Sequence, residues 1–283
     1  MSRDSIDIAR TVVRIEAEAV AALADRIDER FATAVDVIFT CKGRVIVTGI
    51  GKSGIIGKKI ASTLSSTGTP AIFLHSGEGL HGDLGVVMKD DVVICISKSG
   101  NGGELKMLIP LFQKLGVPVI GMTGNITSDL AKHAQVVLDI SVAEEACPHD
   151  LAPTSSSTAT LVMGDALAIA LLKRRNFSAE DFALRHPGGT LGRRLLLRID
   201  DVMGENDRLP CVHEHADLQQ VIFEISTKRY GATCVVTAAG ELAGIITDGD
   251  LRRLLTGPAG LQQLTAKEMM SANPKTVAKG TLA

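Results

Sequence analysis

Tryptophan is absent from the chain, and aromatic residues make up only 3 % of its 283 positions. Surfaces that stack nucleobases are built from aromatic rings, so this sequence lacks the material for one. The charge balance points the same way. With 30 basic and 32 acidic residues the formal net charge is −2, which gives no electrostatic reason to expect nucleic acid. The five cysteines (Cys41, Cys95, Cys147, Cys211, Cys234) are odd in number, widely spaced and without a CxxC pair, a pattern that fits free thiols in a reducing compartment. No uninterrupted apolar run reaches the ~18 residues a bilayer span needs. The N-terminal MSRDSIDIAR alternates charges where a secretory signal would be apolar. A cytoplasmic protein with no nucleic-acid and no membrane partner is expected, its core built from small aliphatic residues.

What the chain does have is RVIVTGIGKSGIIGKK, residues 44–59. An apolar strand (Val45, Ile46, Val47) runs into a glycine turn (Gly49, Gly51, Gly54), and a helix follows whose first turn carries Lys52 and Ser53. Free backbone N–H groups at such a helix start attract anions, and Lys52 and Ser53 add a point charge and a hydroxyl donor. A nucleotide-triphosphate loop would need a glycine at position 46, which is Ile46. A dinucleotide fold would need an acidic residue at the end of the second strand, where His75 and Ser76 stand. What remains is a phosphate or sugar-phosphate cradle, or a turn that serves only helix packing.

The chain in order predicts one large α/β domain and a smaller module. Residues 5–39 carry apolar positions at helical spacing, as one long helix or two with a break, with a role in oligomerisation expected. Short apolar runs then recur at 45–47, 71–74, 92–96, 117–122 and 136–140 with helical patterns between them, which predicts a five-stranded parallel sheet in a three-layer αβα sandwich. Ligands in such folds bind at the carboxyl ends of the strands, and every polar cluster falls there. HSGEGLHGDLG (75–85) holds His75, Glu78, His81 and Asp83 in a glycine-rich loop, open to three readings: substrate contact, a metal site, or solvated loop. ISKSGNGGE (96–104) offers Ser97 and Ser99 as a second oxyanion cradle, with Glu104 either functional or a helix-start carboxylate. Residues 141–160 hold Glu144 and Glu145, the neighbours Cys147 and His149, and a Thr/Ser run that caps an apolar helix from about 156 to 172. Adjacency of Cys147 and His149 is poor support for a nucleophile pair. FALRHPGGTLGRRL (182–195) sets His186 in a constrained turn, either an acid–base group or plain surface.

Taken together, GIGKSG (49–54), SKSGNGGE (97–104), EEACPHDLAPTSS (144–156) and RHPGGTLG (185–192) closely resemble the arabinose-5-phosphate isomerases, sugar isomerase (SIS) domains followed by paired CBS modules. The resemblance covers essentially the whole chain. It implies that Lys52, Glu104, Glu145 and His186 carry catalysis, with the roles of the two glutamates left open, and that an enediol route interconverts ribulose 5-phosphate and arabinose 5-phosphate for 3-deoxy-octulosonate and lipopolysaccharide. No cofactor is required on that route. The expected binding set is Gly51, Ser53, Gly68, Thr69, His75, His81, Ser97 and Ser99. Zinc at His75 would inhibit rather than assist. Many such domains carry Thr where this chain has Gly102, which removes one phosphate hydroxyl. A homotetramer with His186 reaching a neighbouring subunit's cleft is expected.

The expected limits are 1–195 for the SIS domain with its helical lead-in, 196–260 for one complete α+β CBS module and 261–283 for the opening of a truncated second. Thr247, Asp248 and Asp250 occupy positions that hold a ribose in nucleotide-binding relatives, so a nucleotide is a possible ligand. The alternative from another class is a non-catalytic sugar-phosphate sensor, since fold alone does not establish chemistry. A different sugar phosphate is a further alternative.

Overall fold

The apolar runs form strands close to where the sequence places them: β1 (Val45–Gly49), β2 (Ala71–His75), β3 (Val92–Ser97), β4 (Val119–Thr123) and β5 (Val136–Asp139). The computed structural model describes residues 2–186, 188–189, 197–255 and 264–282, and the chain divides into two units, 1–189 and 190–283. Pro187, residues 190–196 and the expected domain limits at 195 and 260 lie outside the described residues.

All pairings in the first unit's sheet are parallel, in the order β2-β1-β3-β4-β5. Strand order reverses between β1 and β3, which places a ligand crevice beyond their carboxyl ends. The lead-in is two helices, α1 (Ser2–Ala21) and α2 (Glu29–Thr40), separated by a single 3-10 turn at Ala24–Arg26. Asp28 starts α2 by accepting the Arg30 N–H at 2.9 Å. Then come α3 (Gly51–Ser66), α4 (Ser76–Gly79), α5 (Gly103–Leu115), α6 (Asp129–His133), α7 (Ser155–Arg174) and α8 (Ala179–Arg185).

Alternate side chains of each strand point to opposite faces, and the core divides accordingly. Val45, Val47, Ile94, Ile96 and Met122 pack with Ile38, Ile60, Leu64, Met163 and Leu167 of α2, α3 and α7. Ile46, Val93 and Cys95 face the other way, onto Leu105, Leu108 and Phe112 of α5 and Leu130 of α6. These faces are the three layers expected. Burial pushes the Cys95 thiol up to about 12, and all five cysteines are free. α7 is long and apolar enough to cross a membrane, yet half of that stretch is buried in this core.

In the second unit α9 (Ile199–Val202) precedes a mixed sheet of β6 (Cys211–His213), β7 (Ala232–Val236), β8 (Leu242–Thr247) and β9 (Ser271–Ala272), with α10 (Leu218–Lys228), α11 (Asp248–Leu255) and α12 (Ala266–Met269). Asp217 and Gln220 form a capping box at the start of α10, which satisfies two donors reciprocally. Segment 264–282, expected to open a second module, packs onto this sheet. β9 pairs antiparallel with β8, and Ala266 and Met269 bury themselves with Val221, Ile225 and Val235.

Ile60 is fully buried where α3 meets the sheet and α7. Ile60→Ala should lower stability by about 3 kcal/mol, read as an earlier urea midpoint at unchanged slope. An unmoved midpoint would show that the core is not formed there.

Candidate active site

Gly51 opens α3 at φ +57°, a conformation that disfavours a side chain. A Cβ at Gly54 would come within 2.8 Å of the Gly49 carbonyl oxygen, so only glycine allows the turn to close this tightly. The N-cap residue Ile50 provides no side-chain acceptor. The first N–H groups of α3 are therefore left for a ligand, with Lys52 exposed beside them. Thr48 and Ser76, hydroxyl to hydroxyl at 2.9 Å, tie β1 to the segment after β2.

Two cavities adjoin at the carboxyl edge of the sheet. One, of 150 Å³, is lined by Lys52, Ser53, Lys98, Ser156, Ser157 and Thr160, among others. The second, of 360 Å³, is lined by Ser97, Lys98, Ser99, Gly124, Ser141 and Ser156, among others. Ser97 Oγ accepts the Gly100 N–H at 3.1 Å and Ser99 Oγ the Asn101 N–H at 3.3 Å, so both hydroxyls shape the turn that carries them.

Glu145 sits behind the cavities with its side chain 0 % exposed. Oε1 accepts from Lys98 Nζ at 2.6 Å and from the Ser156 hydroxyl. Oε2 accepts from Thr154 N (2.8 Å), Thr154 Oγ1 (3.2 Å) and Ser156 N (3.1 Å). Burial raises its pKa, but the Lys98, Ser156 and Thr154 donors outweigh that and hold the carboxyl at about 2. The Thr/Ser run was expected to cap α7. The N-cap residue Thr154 makes no side-chain cap bond, and the carboxylate of Glu145 takes the helix's free N–H groups instead, its charge matched to the positive end of the helix.

Glu104 lies in the first turn of α5, half-buried, with no hydrogen bond or ion pair among the described residues. Cys147 is not paired with the His149 ring: backbone N–H groups of Ala152, His149 and Leu151 hold its thiol below the usual range. His75, the last residue of edge strand β2, and His81, beyond it, are exposed and outside both cavity linings. Among the described residues no three His, Cys, Asp or Glu side chains gather as a metal-ligand set, and a single imidazole at His75 does not by itself fit a zinc site.

Gly68 and Thr69 do not join the cleft. They precede β2, at the amino edge of the sheet, where Gly68 lies against Phe177 and Thr69, buried, accepts from Arg175 Nε at 3.1 Å. The segment around them packs against the end of α7. His186 also stands away from its own chain's cleft. α7 starts beside Glu145 and carries the chain roughly 30 Å to Arg175, and the Arg185 guanidinium remains 5.3 Å from the Phe177 ring. His186 Nδ1 lies 3.0 Å from the Phe182 carbonyl, and its ring stacks on Phe182 at 4.0 Å. A carbonyl only accepts, so Nδ1 carries the hydrogen and Nε2 of the neutral ring carries the lone pair.

Lys98, Thr154 and Ser156 were not singled out by the sequence. Lys98 had a signal, a basic residue between two candidate serines at a strand's carboxyl end. Ser156 had none, because its partner Glu145 is eleven positions away.

Residues 38–170 match the SIS domain family and residues 199–257 the CBS domain family. Over 280 residues the chain is 51 % identical to arabinose 5-phosphate isomerase KdsD of Pseudomonas aeruginosa, covering 99 % of this chain and 86 % of that protein. The KdsD protein of Escherichia coli is 50 % identical over 274 residues, 97 % of this chain and 84 % of its own. Among solved structures, an Escherichia coli protein in complex with arabinose 5-phosphate superposes on 66 % of this chain and 100 % of its own, with a TM-score of 0.64 and 42 % identity. With half of its residues shared over nearly its whole length, and with the sheet, the glycine turn and the serine turn in place, the chain belongs to the arabinose 5-phosphate isomerase family.

Proposed function

We propose that the protein interconverts D-arabinose 5-phosphate and D-ribulose 5-phosphate through an enediol, the step that leads to 3-deoxy-octulosonate for lipopolysaccharide. The observation that carries this reading is the contrast between its two glutamates at the carboxyl edge. Glu145 has five donors on its two oxygens and gives up bonds if it takes a proton. Glu104 has no such commitment, and a general base needs a free lone pair. Glu104 removes the C2 proton of the aldose and the electrons pass to O1. Lys52 and the N–H groups of α3 meet the negative charge of the enediolate. Return of the proton to C1, with the O2 hydroxyl proton passing to O1, completes the ketose. No step requires a metal or redox cofactor, and zinc at His75 belongs to inhibition if ligands from elsewhere complete its shell.

Ring opening precedes this chemistry, and His186 with a free Nε2 suits it. Since its own cleft is out of reach, we assign it to the cleft of a neighbouring subunit in a cytoplasmic homotetramer. Exposed Ile6 and Val13, seven positions apart and so on one face of α1, offer apolar surface for that assembly. A nucleotide at the second unit remains a proposal of lower detail: Asp250 already accepts from Thr247 N and Oγ1 at 2.8 and 2.7 Å and from Arg253 at 2.5 Å. The turn consumes the carboxylate that a ribose would need.

In deuterated water without added metal, NMR should show the C2 proton of arabinose 5-phosphate exchanging as ribulose 5-phosphate forms. Glu104→Gln should reduce that exchange by about 10²–10⁴-fold in a folded protein. Melting-point stabilisation without exchange would favour the sensor. Glu145 predicts a separate pH effect. Its folded pKa of about 2 lies below the ordinary 4.5, so its stabilisation is complete above that ordinary value and is lost as pH falls through the folded one. Glu145→Gln should cost about 2 kcal/mol at neutral pH and flatten this acid limb in denaturation curves. An unchanged limb would refute the scaffold role. Finally, mixing inactive Lys52→Ala and His186→Ala chains under subunit exchange should restore part of the activity, and no recovery would place His186 outside a shared site.

A further inference from the structure

Lys98 has no role in the proposed reaction, yet it is among the most firmly placed cations at the carboxyl edge. It follows Ser97, and its carbonyl accepts from Gly124 N at 3.0 Å and Thr123 Oγ1 at 3.4 Å, which pins its backbone to the end of β4. Its side chain is 46 % exposed, and Nζ rests 2.6 Å from Oε1 of a carboxylate that is itself wholly buried. Thr154 and Ser156 fix that carboxylate from the other sides. Glu145 therefore cannot follow the lysine, and the lysine is what is being held. Lys98 and Ser156 line both cavities, so the lysine stands between the Lys52–Ser53 cavity and the Ser97–Ser99 cavity.

Resting on the sugar-phosphate reading of the site, we infer that Lys98 binds the substrate's phosphate: Glu145 holds the lysine between the two cavities, beside Ser97 and Ser99, as a second cation complementing Lys52. A phosphate monoester carries a charge of about −1.5 to −2 at pH 7. Hydroxyls and backbone N–H groups supply donors to it but no net charge. An ammonium has three donors, and one contact to Glu145 leaves two for an anion. The missing hydroxyl at Gly102 is offset from the same turn by a charged donor, and charge-assisted bonds are about twice as strong as neutral ones. Glu145 is then a positioning residue, acting on the substrate through Lys98.

The test is calorimetric titration of the full chain with inorganic phosphate, alongside the KM and kcat for arabinose 5-phosphate. Lys98→Met should weaken phosphate binding by about tenfold or more and raise KM more than it lowers kcat, and Lys98→Arg should recover most of the affinity. In the unaltered protein, phosphate should protect Lys98 from amine acylation, read by mass spectrometry, a readout that holds even if a variant fails to fold. Unchanged phosphate affinity in Lys98→Met, or Lys98 equally acylated with and without phosphate, overturns the inference. A lowered melting point with affinity kept makes the lysine structural and overturns it as well. A protein that binds phosphate through Lys98 but shows no C2 exchange keeps this inference and sinks the isomerase reading.

Discussion

One buried carboxylate organises the functional edge of this protein. The first N–H groups of a helix have no partner within it, and α7 begins in the interior, where water cannot serve them. Glu145 supplies the acceptors, bonding Thr154 N and Ser156 N while it also takes the Thr154 and Ser156 hydroxyls and the Lys98 ammonium. A single side chain thereby ties the loop after β5, the start of α7 and the turn after β3 to one point. The cost of burying a charge is offset only when its lone pairs are filled this completely.

The second constraint is length. A twenty-residue helix crosses the whole height of the sheet, so what enters α7 at the carboxyl edge leaves at the amino edge. Thr69, Arg175 and Phe177 meet there as a packing cluster, and α8 with His186 follows from that side. Within the first unit, then, the start of α7 and the helix that follows it belong to opposite edges of the sheet. The second unit follows a different economy. Its last segment is spent on closing its own sheet through β9 and its own core through Met269.

How much was legible in the sequence follows from the range of the interactions. The alternation of apolar runs and helical patterns gave the three layers, because burial on both faces of a parallel strand requires a continuous apolar run. The glycine turn at 49–54 was legible since its geometry is local, and so was the placing of Lys52, Ser53, Ser97 and Ser99 at one edge. That Gly68 and Thr69 lie at the other edge, packed against Phe177 and Arg175, depends on contacts more than a hundred positions apart in the chain. Lys98 was overlooked, and the two glutamates were indistinguishable, because both are carboxylates next to a helix start.

By itself, then, the sequence determined the layered α/β fold, the glycine turn and the family, all of which depend on residue periodicity and on contacts a few positions apart. Only the tertiary structure decided that Glu145 takes five donors while Glu104 takes none among the described residues, that Lys98 lies between two cavities, and that α8, which leads to His186, follows α7 from the amino edge. Those outcomes depend on which donors from distant segments converge on a carboxylate and on how far one helix carries the chain. Neither is written in any local stretch of residues.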